Sequence, residues 1–114
     1  MKYRYFASKM DAVEEQFAEN YGSENILCAR TQDEFEEILA LTCHDILDRE
    51  YKAVLLETFL FFDLFHDKNL SYLKNLENHF HYIVFVGPNL EELFKRVQDI
   101  NIKKKKVKKE YYYV

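Results

Sequence analysis

Short apolar runs of strand length alternate along this chain with stretches whose apolar residues recur every three or four positions. Lys2–Ala7 places Tyr3, Tyr5 and Ala7 on one side and Arg4 and Phe6 on the other, the period of a strand. Ser8-Lys9-Met10-Asp11 has the spacing of a capping box, and Met10, Val13 and Phe17 continue it as a helix. That helix is expected to stop near Tyr21-Gly22, where glycine accepts the left-handed conformation. Asn25–Ala29 is a compact second strand. Thr31-Gln32-Asp33-Glu34 is a second and better capping box, followed by Phe35, Ile38, Leu39, Thr42 and Ile46 on one helical face.

The stretch Tyr51–Asp63 organises the rest. Ala53–Leu56 is apolar without alternation, then comes one carboxylate, Glu57, and the chain stays apolar to Phe62. A strand covered by helices on both faces has this pattern. Glu57 falls at its carboxyl end, where open α/β sheets gather ligands. Asp67–Asn69 offers N-caps for a third helix carrying Leu70, Leu73 and Leu76. His81–Val86 is a further strand closed by Gly87-Pro88. Asn89 and Glu92 open a fourth helix with Leu90, Leu93, Phe94 and Val97 inward, and Lys103–Val114 reads as a last, extended strand.

Strand and helix therefore alternate four times before a final strand. This order predicts one α/β domain over residues 1–114: a three-layer, flavodoxin-like or receiver-like (βα)4β parallel sheet without a last helix. The lysine-rich segment 102–114 suits an edge strand, where charge blocks further pairing.

At 114 residues, 48% of them apolar, the chain supports one core and not two. Two glycines leave no glycine-rich phosphate cradle, and no cofactor motif is present. No apolar run approaches the ~20 residues of a membrane span, and the N-terminus lacks a signal-peptide core, so a cytoplasmic protein is expected. Cys28 and Cys43 are expected as buried, reduced thiols. The net charge of −4 hides an asymmetry: Lys103, Lys104, Lys105, Lys106, Lys108 and Lys109 are six of the 16 basic residues. The remaining body is strongly acidic, which disfavours general polyanion binding.

Val54-Leu55-Leu56-Glu57-Thr58-Phe59-Leu60 resembles the hydrophobic–Leu–Leu–Asp–x–x–Leu pattern of two-component response-regulator receiver domains, with Glu57 at the phospho-acceptor position. The resemblance implies a pocket formed with Ser8, Lys9, Thr58 and Gly87. The departures imply a degenerate receiver. Ala7-Ser8-Lys9 replaces the acidic pair that holds magnesium, Phe85-Val86-Gly87 lacks the Ser or Thr that ends the fourth strand, and no lysine–proline pair follows the last strand. Too few carboxylates remain for a hard divalent cation, on which phosphoryl transfer depends. The function implied is a regulatory module in signal transduction that docks to proteins without phosphate and without catalysis.

Other constellations are weaker. His79, His81, Cys43 and His44 are zinc-ligand types without a Cys-x-x-Cys pair, and solvated histidines explain them better. Ser8, His44 and Asp45 form no recognised nucleophile motif. Lysines followed by Tyr111, Tyr112 and Tyr113 combine cations with stacking rings, the ingredients of single-stranded nucleic-acid binding, and this is the first alternative function. A small enzyme using Glu57 as general acid or base is the second. The missing last helix leaves only Met10–Tyr21 to cover one sheet face, over the first and last strands. An interaction surface of Tyr3, Tyr5, Val107, Tyr111, Tyr112 and Tyr113 is therefore expected, met by a protein partner and first of all by a second copy in a homodimer.

Overall fold

The computed structural model describes residues 2–44, 50–62 and 67–101. Strands β1 (Tyr3–Phe6), β2 (Ile26–Ala29), β3 (Tyr51–Glu57) and β4 (Phe80–Val86) form one parallel sheet in the order β1-β4-β3-β2. The connections hold helices α1 (Met10–Tyr21), α2 (Gln32–Cys43), α3 (Asp67–Ser71) and α4 (Leu73–Glu77), and α5 (Leu90–Asn101) follows β4. Helices cover both faces, an α/β architecture compatible with a flavodoxin-like three-layer fold. The expected last strand, with Val107, Tyr111, Tyr112, Tyr113 and the six clustered lysines, lies outside the described residues.

Right-handed crossovers account for the layers. The step from β1 at one edge to β2 at the other carries α1 across one face. The steps back, from β2 to β3 to β4, carry α2, α3 and α4 across the opposite face, and α5 joins them there. The thicker layer packs Phe35, Phe61, Leu73 and Leu93 on Leu56, Ile83 and Phe85. The thinner one packs Met10, Val13 and Phe17 of α1 on Phe6, Ile26, Leu55 and Val84. Each fully buried side chain of this kind stabilises the fold by roughly 1.5–3 kcal/mol.

This topology closes the open face expected for Tyr3 and Tyr5, which are not an interaction surface. Both are buried. Because β1 lies beside β4, their side of the sheet is the one to which α5 returns. Tyr3 stacks on Phe85 with centroids 6.1 Å apart and donates a hydrogen bond to Glu77. Tyr5 lies between Phe85 at 5.5 Å and Phe94 at 5.6 Å. Among the described strands, α1 packs chiefly on β2 and β3 and not on β1 as expected.

The helix ends follow local chemistry. The cap expected at Ser8 is not made. Lys9 is the N-cap of α1, with extended backbone (φ −84°, ψ 145°) and no side-chain hydrogen bond, as the chain moves from the β1 edge toward β3 and β2. In the second box Thr31 does cap α2, but the returning bond from Glu34 reaches one residue further back than the N-cap. Thr31 Oγ1 accepts from the Glu34 amide at 3.2 Å, while Glu34 Oε1 accepts from the Arg30 amide at 2.7 Å. The expected third helix is two short ones divided at Tyr72, whose amide bonds back only three residues to the Asn69 carbonyl. Asn69 is a buried tie rather than a cap, donating to the Leu60 carbonyl and to Gln32 Oε1, each at 3.0 Å. Cys43 does not pack inward. It lies one position past the buried stripe Phe35, Ile38, Leu39 and Thr42, and is exposed, while Cys28 is half-buried. Both are free thiols.

Candidate functional site at the carboxyl edge of the sheet

The strand registers align the carboxyl ends in one row. Phe6 is level with Val86, Val86 with Glu57, and Ala29 with Leu56, so Arg30 emerges alongside Glu57. The chain leaves β1 toward one face and leaves β4 toward the other. The topological switch point, where open α/β sheets hold ligands, therefore lies between β1 and β4. Ser8 and Lys9 leave from one side of it and Gly87 from the other.

Glu57 ends β3, and the chain at once tightens into a 3-10 turn, Thr58–Phe61. Burial raises the Glu57 carboxyl above its usual range, the charge of Arg30 opposes that rise, and Asp11 adds to it. Thr58 is fully buried, and its hydroxyl has no hydrogen-bond partner among the described residues. Gly87, at φ +134°, lies against both. A Cβ there would stand 2.6 Å from Thr58 Oγ1 and 3.5 Å from Glu57 Oε2.

The cation beside Glu57 is already engaged. Arg30 Nη2 bonds Glu14 Oε1 at 2.7 Å and Asp11 Oδ1 at 2.8 Å, both carboxylates from the first turns of α1. Those bonds raise the guanidinium pKa further and hold Glu14 below the usual carboxylate range. Cys28 Sγ donates to Glu14 Oε2 at 3.3 Å, and burial with that contact pushes the thiol up to about 12. A thiol so held stays protonated at neutral pH and is a poor nucleophile.

Glu57, Thr58 and Gly87 thus meet as the sequence suggests. Ser8 and Lys9 follow β1, which is separated from β3 by the whole of β4; the flavodoxin-like order 2-1-3-4-5 would set those strands side by side. Among the described residues no group of three or more His, Cys, Asp or Glu side chains is disposed to hold a metal ion. His81 faces Glu50, with Nδ1 3.5 Å from Oε1. Asp45 lies outside the described residues. No described helix is long and apolar enough to cross a membrane.

A second cluster escaped the sequence pattern. On the α1 face the Arg4 guanidinium lies 4.9 Å from the centroid of the Tyr82 ring, and Lys52 Nζ lies 5.4 Å from that of Tyr21. The two rings are 6.1 Å apart. The alternation of Lys2-Tyr3-Arg4-Tyr5 signals that Arg4 faces away from the tyrosines of β1; only the sheet order brings it to Tyr82. Compared with family models, curated proteins and solved structures, the chain matches none.

Proposed function

We propose that this domain is a non-catalytic protein-interaction module of the regulatory kind, similar in its layers and in the position of Glu57 to a receiver that signals without phosphorylation. One observation carries the reading: among the described residues, the cation beside the strand-ending carboxylate at the acceptor position, Arg30, is already paired with two other carboxylates. Arg30 turns its Nη2 to Asp11 and Glu14, so two carboxylates already offset its charge. Lys9, the cation of the β1 loop, leaves from a strand on the far side of β4. Phosphoryl transfer needs cationic stabilisation of the equatorial oxygens, and a lone carboxylate beside a buried threonine does not supply it.

Incubation with magnesium and a small phosphodonor such as acetyl phosphate tests the reading by intact-mass spectrometry. The expected result is an unchanged mass. A phosphoryl group mapped to Glu57 overturns it.

A further inference from the structure

Strand β2 is a sheet edge without the usual protection against pairing. Among the described residues it pairs with β3 alone, so main-chain amides and carbonyls on its outer side form a row that the sheet does not use. Edge strands are ordinarily blunted by lysine or proline, and Ile26-Leu27-Cys28-Ala29 has neither. Leu27 and Cys28, in the middle of the strand, stay half-exposed, whereas Ala53 to Leu56 of the neighbouring β3 are fully buried.

Helix α2 turns this bare edge into a groove. It packs on β2, the outermost strand, and its outer side overhangs the edge. Glu34, Glu37, Ile38 and Leu41 recur on that side at intervals of three and four, and with Leu27 and Cys28 they line a groove of about 460 Å³. Leu27, Ile38 and Leu41 give it an apolar floor, and the exposed Glu34 and Glu37 give it an acidic rim.

We propose that this groove takes an extended segment of a partner protein, with lysine or arginine set between apolar residues, as an added strand on β2. The proposal rests on the docking role above and names the partner's chemistry. A row of main-chain donors and acceptors is complemented by another extended main chain, and the side chains beside it select the sequence. Here those side chains are apolar at the floor and anionic at the rim, which selects apolar residues flanked by cations. A second copy does not fit the same edge. Two β2 strands paired about a two-fold axis would lie ~4.8 Å apart with both α2 helices, each about 10 Å across, on one face of the joined sheet. The helices would contend for one space, with Glu34 and Glu37 of one copy set against those of the other. A lone extended segment brings no helix and answers the charge.

The probe is a fluorescein-labelled, acetylated peptide of about eight residues alternating lysine and valine, titrated into the full chain and followed by anisotropy. Saturable binding is expected, with slower hydrogen exchange at Ile26–Ala29. A lysine–proline peptide keeps the charge but lacks the donors of a ladder, and a glutamate–valine peptide keeps the ladder but reverses the charge. Each should bind at least tenfold more weakly. Glu37→Lys, at an exposed position, should weaken the lysine–valine peptide about threefold or more and strengthen the glutamate–valine one. No binding of the lysine–valine peptide, equal binding of the lysine–proline peptide, or unchanged exchange at β2 overturns the proposal. So does a parent that sediments as a dimer with its β2 amides already protected, which would make a second copy the occupant. Failure of the peptide while the phosphodonor leaves Glu57 unmodified keeps the docking reading with another surface, whereas a phosphorylated Glu57 removes that reading whatever the peptide does.

Discussion

Gly87 and Thr58 are in contact because glycine has no side chain. The Thr58 hydroxyl stands 2.6 Å from the point a Cβ at Gly87 would occupy, closer than real Cβ atoms tolerate, and the Gly87 φ of +134° is itself costly for any L side chain. Gly87→Ala should therefore destabilise the domain by about 1–3 kcal/mol, read from a chemical denaturation midpoint at unchanged slope. Thr58→Val nearly keeps the shape and removes a buried hydroxyl that has no partner among the described residues, so it should be neutral or slightly stabilising in the same assay.

Glu57 predicts a pH dependence with a definite sign. Its folded pKa is raised above the ordinary value of 4.5, so the fold favours the protonated carboxyl. Its contribution is most favourable below the unfolded pKa and is lost as pH rises through the folded one. Glu57→Gln should then equal or exceed the parent in stability at neutral pH, within ~1 kcal/mol, and the difference should vanish below about pH 4.5. A Glu57→Gln variant markedly less stable than the parent at pH 7 would contradict this, and urea titrations at several pH values decide it.

The two thiols should separate under alkylation. Cys43 is exposed, whereas Cys28 is half-buried and bonded to Glu14, its thiol pushed up to about 12. Native protein at pH 7.5 should take up iodoacetamide at Cys43 first, with Cys28 at least tenfold slower, since the thiolate is the reacting form. Peptide mapping by mass spectrometry over a time course gives both rates.

Asn69 joins three elements: its own helix α3, the turn after β3 through the Leu60 carbonyl, and α2 through Gln32. Asn69→Ala leaves the Leu60 carbonyl buried without this donor and should cost about 1–3 kcal/mol. Gln32→Ala removes one of the two bonds and should cost less. Thermal or chemical unfolding of the pair of variants orders them.

The sequence by itself determined most of the described elements, though not the break at Tyr72 that splits the expected third helix. Continuous apolar runs at Ala53–Leu56 and Ile83–Val86 can be satisfied only between two helical layers, and stripes such as Phe35, Ile38, Leu39 and Thr42 present one face at helical period, so type and order were legible locally. Thr31 with Glu34 marked a helix start by the same local chemistry, and Glu57 was placed at a strand end because the apolar run before it needs burial and a carboxylate does not. Ser8 has the right spacing for a cap yet makes none, because spacing does not know where the strand before it lies in the sheet.

Strand order was decided only in three dimensions. It follows from long-range packing, in which β1 pairs with β4 although their residues are some 80 positions apart in sequence. That single pairing buries Tyr3 and Tyr5 under α5, seats Arg4 on Tyr82, and puts β4 between Ser8 and Glu57. Alternation along a strand says which residues share a side, but not which helix returns to cover it. The Arg30–Asp11–Glu14 cluster was hidden for the same reason, because its charges come from two elements that meet only where α1 crosses beneath the carboxyl end of β2.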